Sequence, residues 1–446
     1  MPRISKSILK KLARANRAAA RAYPGESEQR QPVHTVYGGA HLFKADSARR
    51  LGALAMSALN EYAPDGGTLA RVLGMPAALD ADIVRARVVT KLEREPVEDF
   101  RIDFEDGYGN RPDAEEDGHA EAAAGEVASG AGHGTLSPFI GIRIKPLSRE
   151  LHVRSLRTLE IFVTTLAART RGALAPNFVV TLPKIMDAGQ VTAAADVCAQ
   201  LERRLKLKPG VLRLELMIET PQSILASDGT SALRTLVAAG HGRVRGAHFG
   251  TYDYTALCGI TASWQHMRHQ ACDFAKHMMQ VALAQSGVQL SDGATNIMPV
   301  PVHRAAPGAA LDERQRRENA DAVHRAWRIH YDDAMHSLVN GFYQGWDLHP
   351  AQLPTRYAAV YAFFLSALPA ATARLRNFID KAAQATLVGD VFDDAATGQG
   401  LLNFFIRGLS SGALTIDEAR ATGLSLGELQ GRSFLKILAA RRLGSR

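Results

Sequence analysis

The sequence is poor in cysteine, and its three thiols lie far apart. Cys198, Cys258 and Cys272 form no CxxC pair among the 446 residues, so we expect neither a disulfide framework nor a zinc knuckle. No apolar run approaches the roughly 20 residues that cross a bilayer. Residues 1–32 have a basic start but no apolar core of a signal peptide. These absences predict a cytoplasmic protein with reduced thiols.

Several nucleotide and hydrolase motifs are also missing. The residues Gly38-Gly39-Ala40 follow the first predicted strand but do not form GxGxxG, so we expect no dinucleotide cofactor. HExxH, GxSxG and P-loop patterns do not occur. Their absence argues against zinc proteolysis, serine hydrolysis and NTP hydrolysis.

The net charge of +8 is concentrated at the start of the chain. Residues 1–32 hold eight Lys or Arg against two Glu, a net +6, so the rest of the chain is nearly neutral. A basic helix can bind nucleic acid or an anionic membrane, but the apolar stripe of Ile4, Ile8, Leu9 and Leu12 is short. No aromatic residue interleaves with the charges. We expect a solvated helix that packs on the main domain or on a neighbouring subunit, with no nucleic-acid and no membrane partner.

Short β-branched runs alternate along the chain with longer amphipathic stretches. This alternation predicts βα units and a parallel sheet. Eight such units with helical crossovers predict an α/β fold of the (β/α)₈ TIM-barrel type. The predicted strands are Val33–Tyr37, Phe100–Phe104, Phe139–Ile144, Phe178–Leu182, Leu212–Ile218, Val244–Phe249, Ala294–Val300 and Gly341–Leu348.

Three segments organise the chain. Residues 1–32 form a basic N-terminal helical segment, residues 33–365 form the TIM-barrel domain, and residues 366–446 exceed what a barrel needs. The last segment keeps a helical pattern, so we expect a C-terminal helical subdomain. Within the barrel domain, an Ala- and Glu-rich stretch predicts a helix over Ala114–Val127, followed by a flexible GAGHG loop.

Charged and polar side chains stand at the ends of the predicted strands. In a barrel the chemistry lies at the carboxyl ends of the strands, and an unbalanced carboxylate beside apolar surroundings is costly. Either a bound cation or structural salt bridges must therefore balance these carboxylates. The residues are Glu105, Asp106, Arg143, Lys184, Glu219, Asp253 and His349.

Two interpretations of this set stay open from the residues alone. Glu219 and Asp253 end adjacent strands, and Mg²⁺ is typically held by one or two carboxylates together with water. Alternatively, the carboxylates form structural salt bridges with Arg143 and Lys184. The guanidinium of Arg143 suits a substrate carboxylate but equally suits a carboxylate of the neighbouring strand end.

Six short motifs occur in order over roughly residues 34–355. They resemble the HpcH/HpaI aldolase superfamily, which includes the citrate lyase β-subunit and malyl-CoA lyase and whose members are metal-dependent barrels. Two positions depart from that pattern: Tyr252 precedes the predicted metal-binding aspartate, and Lys145 follows Arg143 by two residues. The motifs are IDFEDGYGNR, GIRIKP, TLPKI, LMIETPQSIL, GTYDYTALCGI and DLHPAQL.

The resemblance implies a role for each site residue. Glu219 and Asp253 would bind Mg²⁺, with Mn²⁺ as an alternative, and Arg143 would hold a substrate carboxylate. Glu105 and Asp106 would orient metal-bound water. Lys184 of the TLPKI motif completes the predicted catalytic set. The general base stays open between a metal-bound water and His34.

The resemblance also implies the reaction and the assembly. We expect a Mg²⁺-dependent carbon–carbon lyase or aldolase that acts on a small hydroxy or oxo acid, free or as a CoA thioester, through a metal-stabilised enolate. A C-terminal segment that caps a neighbour's site would make the chain a homo-oligomer; Asp390, Asp393 and Asp394 are the candidate residues there. The alternatives are a non-catalytic barrel that binds metal and oxo acid, and a phosphoenolpyruvate-mutase-like enzyme.

Overall fold

The fold is that of a computed structural model. It describes residues 5–431 except 26, 28, 307, 381–385, 389, 390 and 394, together with 433, 434 and 437. Asp390 and Asp394 lie outside the described residues, as does the side chain of Asp393. The role suggested for these three aspartates therefore stays a prediction.

Eight parallel strands form the central sheet, in the order β7-β6-β5-β4-β3-β2-β1-β8. The backbone N–H of Asp292 donates to the carbonyl of Gln344 at 2.8 Å, and that of Trp346 donates to Gly293 at 2.9 Å. These two bonds join the β7 and β8 edges, so the predicted TIM barrel is confirmed. The strands are β1 His34–Gly39, β2 Asp99–Asp103, β3 Phe139–Arg143, β4 Phe178–Leu182, β5 Arg213–Ile218, β6 Val244–Phe249, β7 Gln289–Ser291 and β8 Gly345–Asp347.

Sixteen α-helices are found among the described residues, and most of them cover the outside of the barrel. One precedes the barrel: α1 Lys6–Ala22. Those of the barrel are α2 Ser47–Tyr62, α3 Gly66–Leu73, α4 Ala81–Arg94, α5 Asp113–His133, α6 His152–Thr170, α7 Ala188–Arg204, α8 Pro221–Ile224, α9 Leu233–Ala239, α10 Thr251–Leu257, α11 Gln270–Leu283 and α12 Glu313–Val339. The C-terminal ones are α13 Leu353–Asp380, α14 Ala395–Ser410, α15 Ile416–Arg420 and α16 Leu426–Gln430.

Two predicted elements are wrong. The seventh strand is β7 and not Ala294–Val300, which contributes only an isolated bridge from Ala294 to Trp346. Pro299 and Pro301 have no backbone N–H, so they cannot donate hydrogen bonds to a neighbouring strand. The GAGHG stretch is not a loop, because α5 runs through it to His133 and ends at Gly134, whose φ of +66° caps the helix.

The C-terminal region is helical as predicted, with one addition. Strands β9 Thr386–Val388 and β10 Val391–Asp393 pair antiparallel. The boundary predicted between residues 365 and 366 falls inside α13, which is continuous from the barrel into this region.

The faces of the barrel strands divide sharply by polarity. Outward-facing side chains such as Ile102, Ile142 and Leu216 are fully buried against the helices. Inward-facing side chains of the same strands include many charged and polar groups. Since strand side chains alternate between faces, the sequence DFRID of β2 points Asp99, Arg101 and Asp103 into the barrel.

Arg101 is the centre of the buried interior network. Its guanidinium donates two bonds to Asp99, at 3.0 and 2.7 Å, and one to Glu215 at 2.7 Å. Thr181 donates to Glu215 at 3.1 Å. Gly141 leaves room for this group, because a Cβ atom there would lie 2.7 Å from Nη1 of Arg101. The network fills the middle of the barrel and supports the layer above it.

Helix α13 is long and apolar, against the expectation from the sequence. Among the described residues, Pro350–Ile379 is the one helical stretch that is long and apolar enough to cross a membrane. Length and composition alone are weak evidence, since buried core helices have the same character. Arg356 on this helix donates to the buried Asp347 at 3.0 Å, and Tyr357, Tyr361 and Phe364 are buried. These contacts are those of a core helix.

Replacing Arg101 should destabilise the barrel strongly. Arg101→Met leaves Asp99 and Glu215 buried without their cation, so we expect the free energy of unfolding to fall by about 3–5 kcal/mol. Chemical denaturation measures this change. Arg204→Met is the matched control, because Arg204 and Glu160 form an exposed pair of the kind that contributes less than about 1 kcal/mol. Equal losses in both variants would contradict this account of the interior.

Candidate active site

The carboxyl end of β2 fixes the position of Arg143. Asp103 accepts two hydrogen bonds from Arg143, from Nε at 2.7 Å and from Nη2 at 2.6 Å. The remaining Nη1 lies 3.0 Å from Glu105 and 3.8 Å from Asp106. Although burial opposes the charge, Asp103 and Glu105 hold the pKa of Arg143 well above its usual value. Arg143 is therefore a fixed cation with one edge directed at the mouth of the barrel.

Lys184 connects the strand ends on both sides of the mouth. Its Nζ bonds to Glu105, lies 3.2 Å from both carboxylate oxygens of Asp106 and 3.4 Å from Asp253. Its φ of +49° is unusual for a residue with a side chain and directs the backbone N–H to Glu219 Oε1 at 2.7 Å. Such strained positions cluster at functional sites.

Glu219 and Asp253 meet at the ends of β5 and β6. Glu219 is 1% exposed, whereas the side chain of Asp253 is 36% exposed in the mouth. Burial and the charge of Asp253 raise the pKa of Glu219 to about 8. Gly250 allows the backbone just before Asp253 to pass close to Glu219, because a Cβ atom there would lie 2.5 Å from Cβ of Glu219.

Carboxylates outnumber cations at this mouth. The ion pairs recorded among the described residues bring only two cationic side chains to the cluster, and neither reaches the carboxylate of Glu219. Burial and the neighbouring Asp106 also raise the pKa of Glu105, against the effect of Arg143 and Lys184. The carboxylates are Asp103, Glu105, Asp106, Glu219 and Asp253, and the cations are Arg143 and Lys184.

This donor set fits a hard divalent cation. Mg²⁺ uses one or two carboxylates and keeps its other positions for water or substrate. No group of three or more His, Cys, Asp or Glu with metal-binding geometry occurs in the part of the chain that the structure describes. Glu219 and Asp253 therefore suit Mg²⁺ or Mn²⁺ with two protein ligands, but not a closed structural site of four ligands.

Aromatic side chains form the floor of the mouth. Tyr37 packs against Trp346 with ring centroids 4.7 Å apart and ring planes tilted by 38°, and its ring lies 4.7 Å from the guanidinium of Arg143. The Tyr37 hydroxyl lies 3.7 Å from the sulfur of Met217. The indole Nε1 of Trp346 is buried and has no hydrogen-bond partner among the described residues. The floor thus presents apolar surface and one free donor.

The site residues predicted from the sequence come together, with one exception. Glu105, Asp106, Arg143, Lys184, Glu219 and Asp253 form one connected cluster. His349, the exception among the strand-end residues, accepts a hydrogen bond from the backbone N–H of Ala351 at 3.2 Å. It therefore caps the turn after β8 and makes none of the ion pairs of the cluster.

His34 does not serve as a base at this site. Its Nδ1 lies 2.8 Å from Asp347, and its Nε2 accepts from the backbone N–H of Glu98. Both nitrogens are engaged outside the barrel, where Asp347 also bonds His330 at 2.9 Å. Alternation in β1 explains this placement, because His34 faces outward while Tyr37 faces the interior.

The two departures from the family pattern point away from the site. The Tyr252 hydroxyl donates to the carbonyl of Ala294 at 2.8 Å. Lys145 lies 3.1 Å from the buried Glu116 and donates to the carbonyl of Phe104 at 2.6 Å. Both side chains stabilise loops beside the mouth and leave the proposed ligands unchanged.

Asp103, Tyr37 and Trp346 are the site residues that the sequence analysis missed. The alternating charges of Asp99, Arg101, Asp103 and Glu105 were the available signal for Asp103. No comparable pattern marks Tyr37 or Trp346, whose positions follow from barrel closure between β1 and β8.

Comparison with known proteins places the chain among related folds. The family described as "Domain of unknown function (DUF6986)" matches residues 12–437, and no curated protein sequence matches. A citrate lyase from Burkholderia xenovorans LB400 superimposes with a TM-score of 0.55 at 18% identity, covering 78% of this chain and 94% of that one. This match shows a shared fold and confirms the architecture that the motif resemblance implied.

Two further solved structures are more distant. CitE from Mycobacterium tuberculosis, in complex with magnesium, acetoacetate and coenzyme A, has 14% identity and a TM-score of 0.48, covering 86% of this chain and 99% of that one. Malate synthase from Haloferax volcanii, in a magnesium and glyoxylate complex, has 13% identity and a TM-score of 0.46, covering 90% and 97%.

Glu219 should make the metal-free protein less stable as the pH rises. Its pKa is about 8 in the fold against 4.5 ordinarily, so the folded state binds the proton more tightly. The contribution of Glu219 to stability is then fully present below about pH 4.5 and is lost as the pH rises to about 8. At pH 9, Glu219→Gln should raise the free energy of unfolding of the metal-free protein by about 1–3 kcal/mol.

Denaturant titrations at pH 5 and pH 9 test this expectation, in buffer that contains a chelator. The advantage of Glu219→Gln should shrink at pH 5, where the native carboxyl group is protonated. Glu121→Gln, on the exposed face of α5, is the control and should be neutral at both values. If Glu219→Gln were less stable than the wild type at pH 9, cations within the protein would already balance the Glu219 carboxylate, and the expectation would be contradicted.

Proposed function

The chain belongs to the DUF6986 family, and we propose that it is a Mg²⁺-dependent carbon–carbon lyase or aldolase that acts on a small 2-oxo or hydroxy acid. The observation that carries this proposal is the buried Glu219 beside Asp253, at the ends of adjacent strands, in a cluster where carboxylates outnumber cations. The six motifs that resemble the HpcH/HpaI superfamily support the same reaction class.

Glu219 and Asp253 would hold the divalent cation. When bound there, the cation supplies Lewis acidity toward the oxygen atoms of an oxo or hydroxy acid. The protein contributes the two carboxylates and holds Glu219 through the backbone N–H of Lys184. A fixed ligand of this kind loses little freedom when the metal binds.

Arg143 would bind the substrate carboxylate through Nη1. Asp103 already fixes Nε and Nη2, so the guanidinium cannot rotate, and Nη1, which lies 3.0 Å from Glu105, keeps a constant direction toward the mouth. In this position Arg143 also supplies positive potential where negative charge develops as the carbon–carbon bond breaks.

Glu105 is the best-placed proton carrier among the described residues. Its Oε2 is buried and makes no hydrogen bond, although Arg143 Nη1 lies 3.0 Å away. Its raised pKa favours proton uptake. We infer that Glu105 takes the hydroxyl proton of the substrate, while Lys184 holds the Glu105 carboxylate in place and the repulsion from Asp106 favours the protonated form.

The floor limits the size of the acid. Tyr37 and Trp346 close the barrel directly beneath the cluster, so a substrate extends outward toward the loops. This arrangement suits a short acid whose longer portion, such as a thioester arm, leaves through the mouth. A cytoplasmic location and a homo-oligomeric assembly stay predictions of the sequence.

Glu219→Gln should abolish turnover and leave the fold intact. We expect the wild-type protein with Mg²⁺ to cleave at least one of malyl-CoA, citramalyl-CoA, citryl-CoA or a free hydroxy-oxo acid into two products. Chromatographic product analysis measures this, and Glu121→Gln is the control. Mg²⁺-dependent binding without cleavage of any of these would instead support a non-catalytic binding barrel, and rearrangement without cleavage would support a mutase.

Arg143→Lys should lower kcat/KM about 10²–10³-fold, because lysine cannot keep two bonds to Asp103 and still present a fixed edge to the substrate. Arg157→Lys is the matched control, since Arg157 makes a similar two-pronged pair with Asp117 on the surface. Steady-state kinetics on the substrate found above compares the two. An Arg143→Lys enzyme with wild-type kcat/KM would remove Arg143 from the substrate site.

A further inference from the structure

The N-terminal helix α1 makes no buried contact with the rest of the protein. None of the residues in Lys6–Ala22 is buried, and the apolar side chains Ile8, Leu9 and Leu12 are 58%, 51% and 54% exposed. Of the two expectations for this segment, packing on the barrel is not found for the described residues, and packing on a neighbouring subunit stays a prediction. A helix of this length is marginal in water without a partner, so its apolar face needs an occupant.

The charges of α1 lie on one side of the helix. At about 100° per residue, its six basic side chains fall within an arc of about 140°, and the three large apolar side chains lie on the opposite side. Residues 5–25 contain no acidic residue. The basic side chains are Lys6, Lys10, Lys11, Arg14, Arg17 and Arg21. A basic face opposite an apolar face is the pattern of helices that lie in a membrane interface.

The segment after α1 is attached to the end of the barrel opposite the candidate active site. The backbone N–H of Gly25 donates to the carbonyl of Gln285 at 3.0 Å, and Arg234 stacks on Tyr23 at 4.3 Å. Gln285 precedes β7, so it lies at the amino end of the barrel strands. A surface bound through α1 would leave the mouth open to substrate.

A second copy of the chain is a poor occupant for α1. In a contact between two such helices, the charge of +6 on one would repel the charge of +6 on the other. The most acidic helix, α5, already pairs several of its carboxylates within the chain, for example Asp117 with Arg157 and Glu126 with Lys44. Nucleic acid would match the charges but would leave Ile8, Leu9 and Leu12 exposed.

Contrary to the expectation that α1 has no membrane partner, we propose that it lies in the headgroup region of an anionic lipid bilayer, with Ile8, Leu9 and Leu12 inserted at the acyl boundary. The basic side chains on the opposite face then extend to the surrounding anionic headgroups. Attraction to anionic lipid and burial of the apolar face then act on the same helix. This role is independent of the lyase proposal, because it uses none of the residues at the mouth of the barrel.

Vesicle co-sedimentation of the full chain tests the proposal. We expect binding to phosphatidylcholine vesicles that contain about 30% phosphatidylglycerol to exceed binding to pure phosphatidylcholine by more than about 100-fold, and to weaken in about 0.5 M salt. The triple variant K10Q/K11Q/R14Q should lose about 100-fold in partition. I8Q/L9Q/L12Q should also lose binding, because it removes the inserted side chains.

The control variant R203Q/K206Q/K208Q removes three exposed charges from the barrel and should bind like the wild type. All variants should keep the wild-type unfolding temperature, since their residues are exposed. Equal binding to neutral and anionic vesicles would overturn the proposal. It would also be overturned if I8Q/L9Q/L12Q kept full binding and duplex DNA competed with the vesicles, because α1 would then bind polyanions in general.

Discussion

The surplus of carboxylates at the carboxyl end of the barrel is the constraint on which the rest of the site depends. Glu219 is buried beside Asp253, and the cations that reach the cluster, Arg143 and Lys184, are shared among other carboxylates. Burial of uncompensated charge is expensive, so the fold must hold these groups together against their repulsion. Such a site carries unbalanced negative charge, which a bound divalent cation would neutralise.

The charged network inside the barrel holds the strand ends rigidly in place despite the repulsion between the carboxylates. Arg101 joins Asp99 and Glu215 in the middle of the barrel, Asp103 orients Arg143 above them, and Tyr37 separates the two layers. Asp103 and Arg143 lie on neighbouring strands, whereas Arg101 bonds Asp99 on its own strand and Glu215 across the barrel. The mouth can therefore keep an unfavourable charge distribution, because the strands that carry it are fixed by parallel ladders and by this network.

The sequence predicts the barrel and most of the cluster, for physical reasons. Runs of β-branched residues followed by charged residues locate strand ends, and parallel strands bring those ends to one edge. It does not reveal that Arg143 pairs chiefly with Asp103, because three carboxylates on one strand end compete for it. Nor does it show the floor of Tyr37 and Trp346, which depends on barrel closure. The seventh strand is missed because three residues carry too weak a periodic signal.

The most direct test of the central claim is anomalous diffraction from a crystal of the protein soaked in Mn²⁺. The account predicts one strong peak at the mouth, within about 2.0–2.3 Å of a carboxylate oxygen of Glu219 and one of Asp253, with Lys184 Nζ displaced from Asp253. A peak bound elsewhere, or none at this position in saturating Mn²⁺, would contradict it. The carboxylate surplus would then be balanced within the protein, and the lyase proposal would rest on the fold alone.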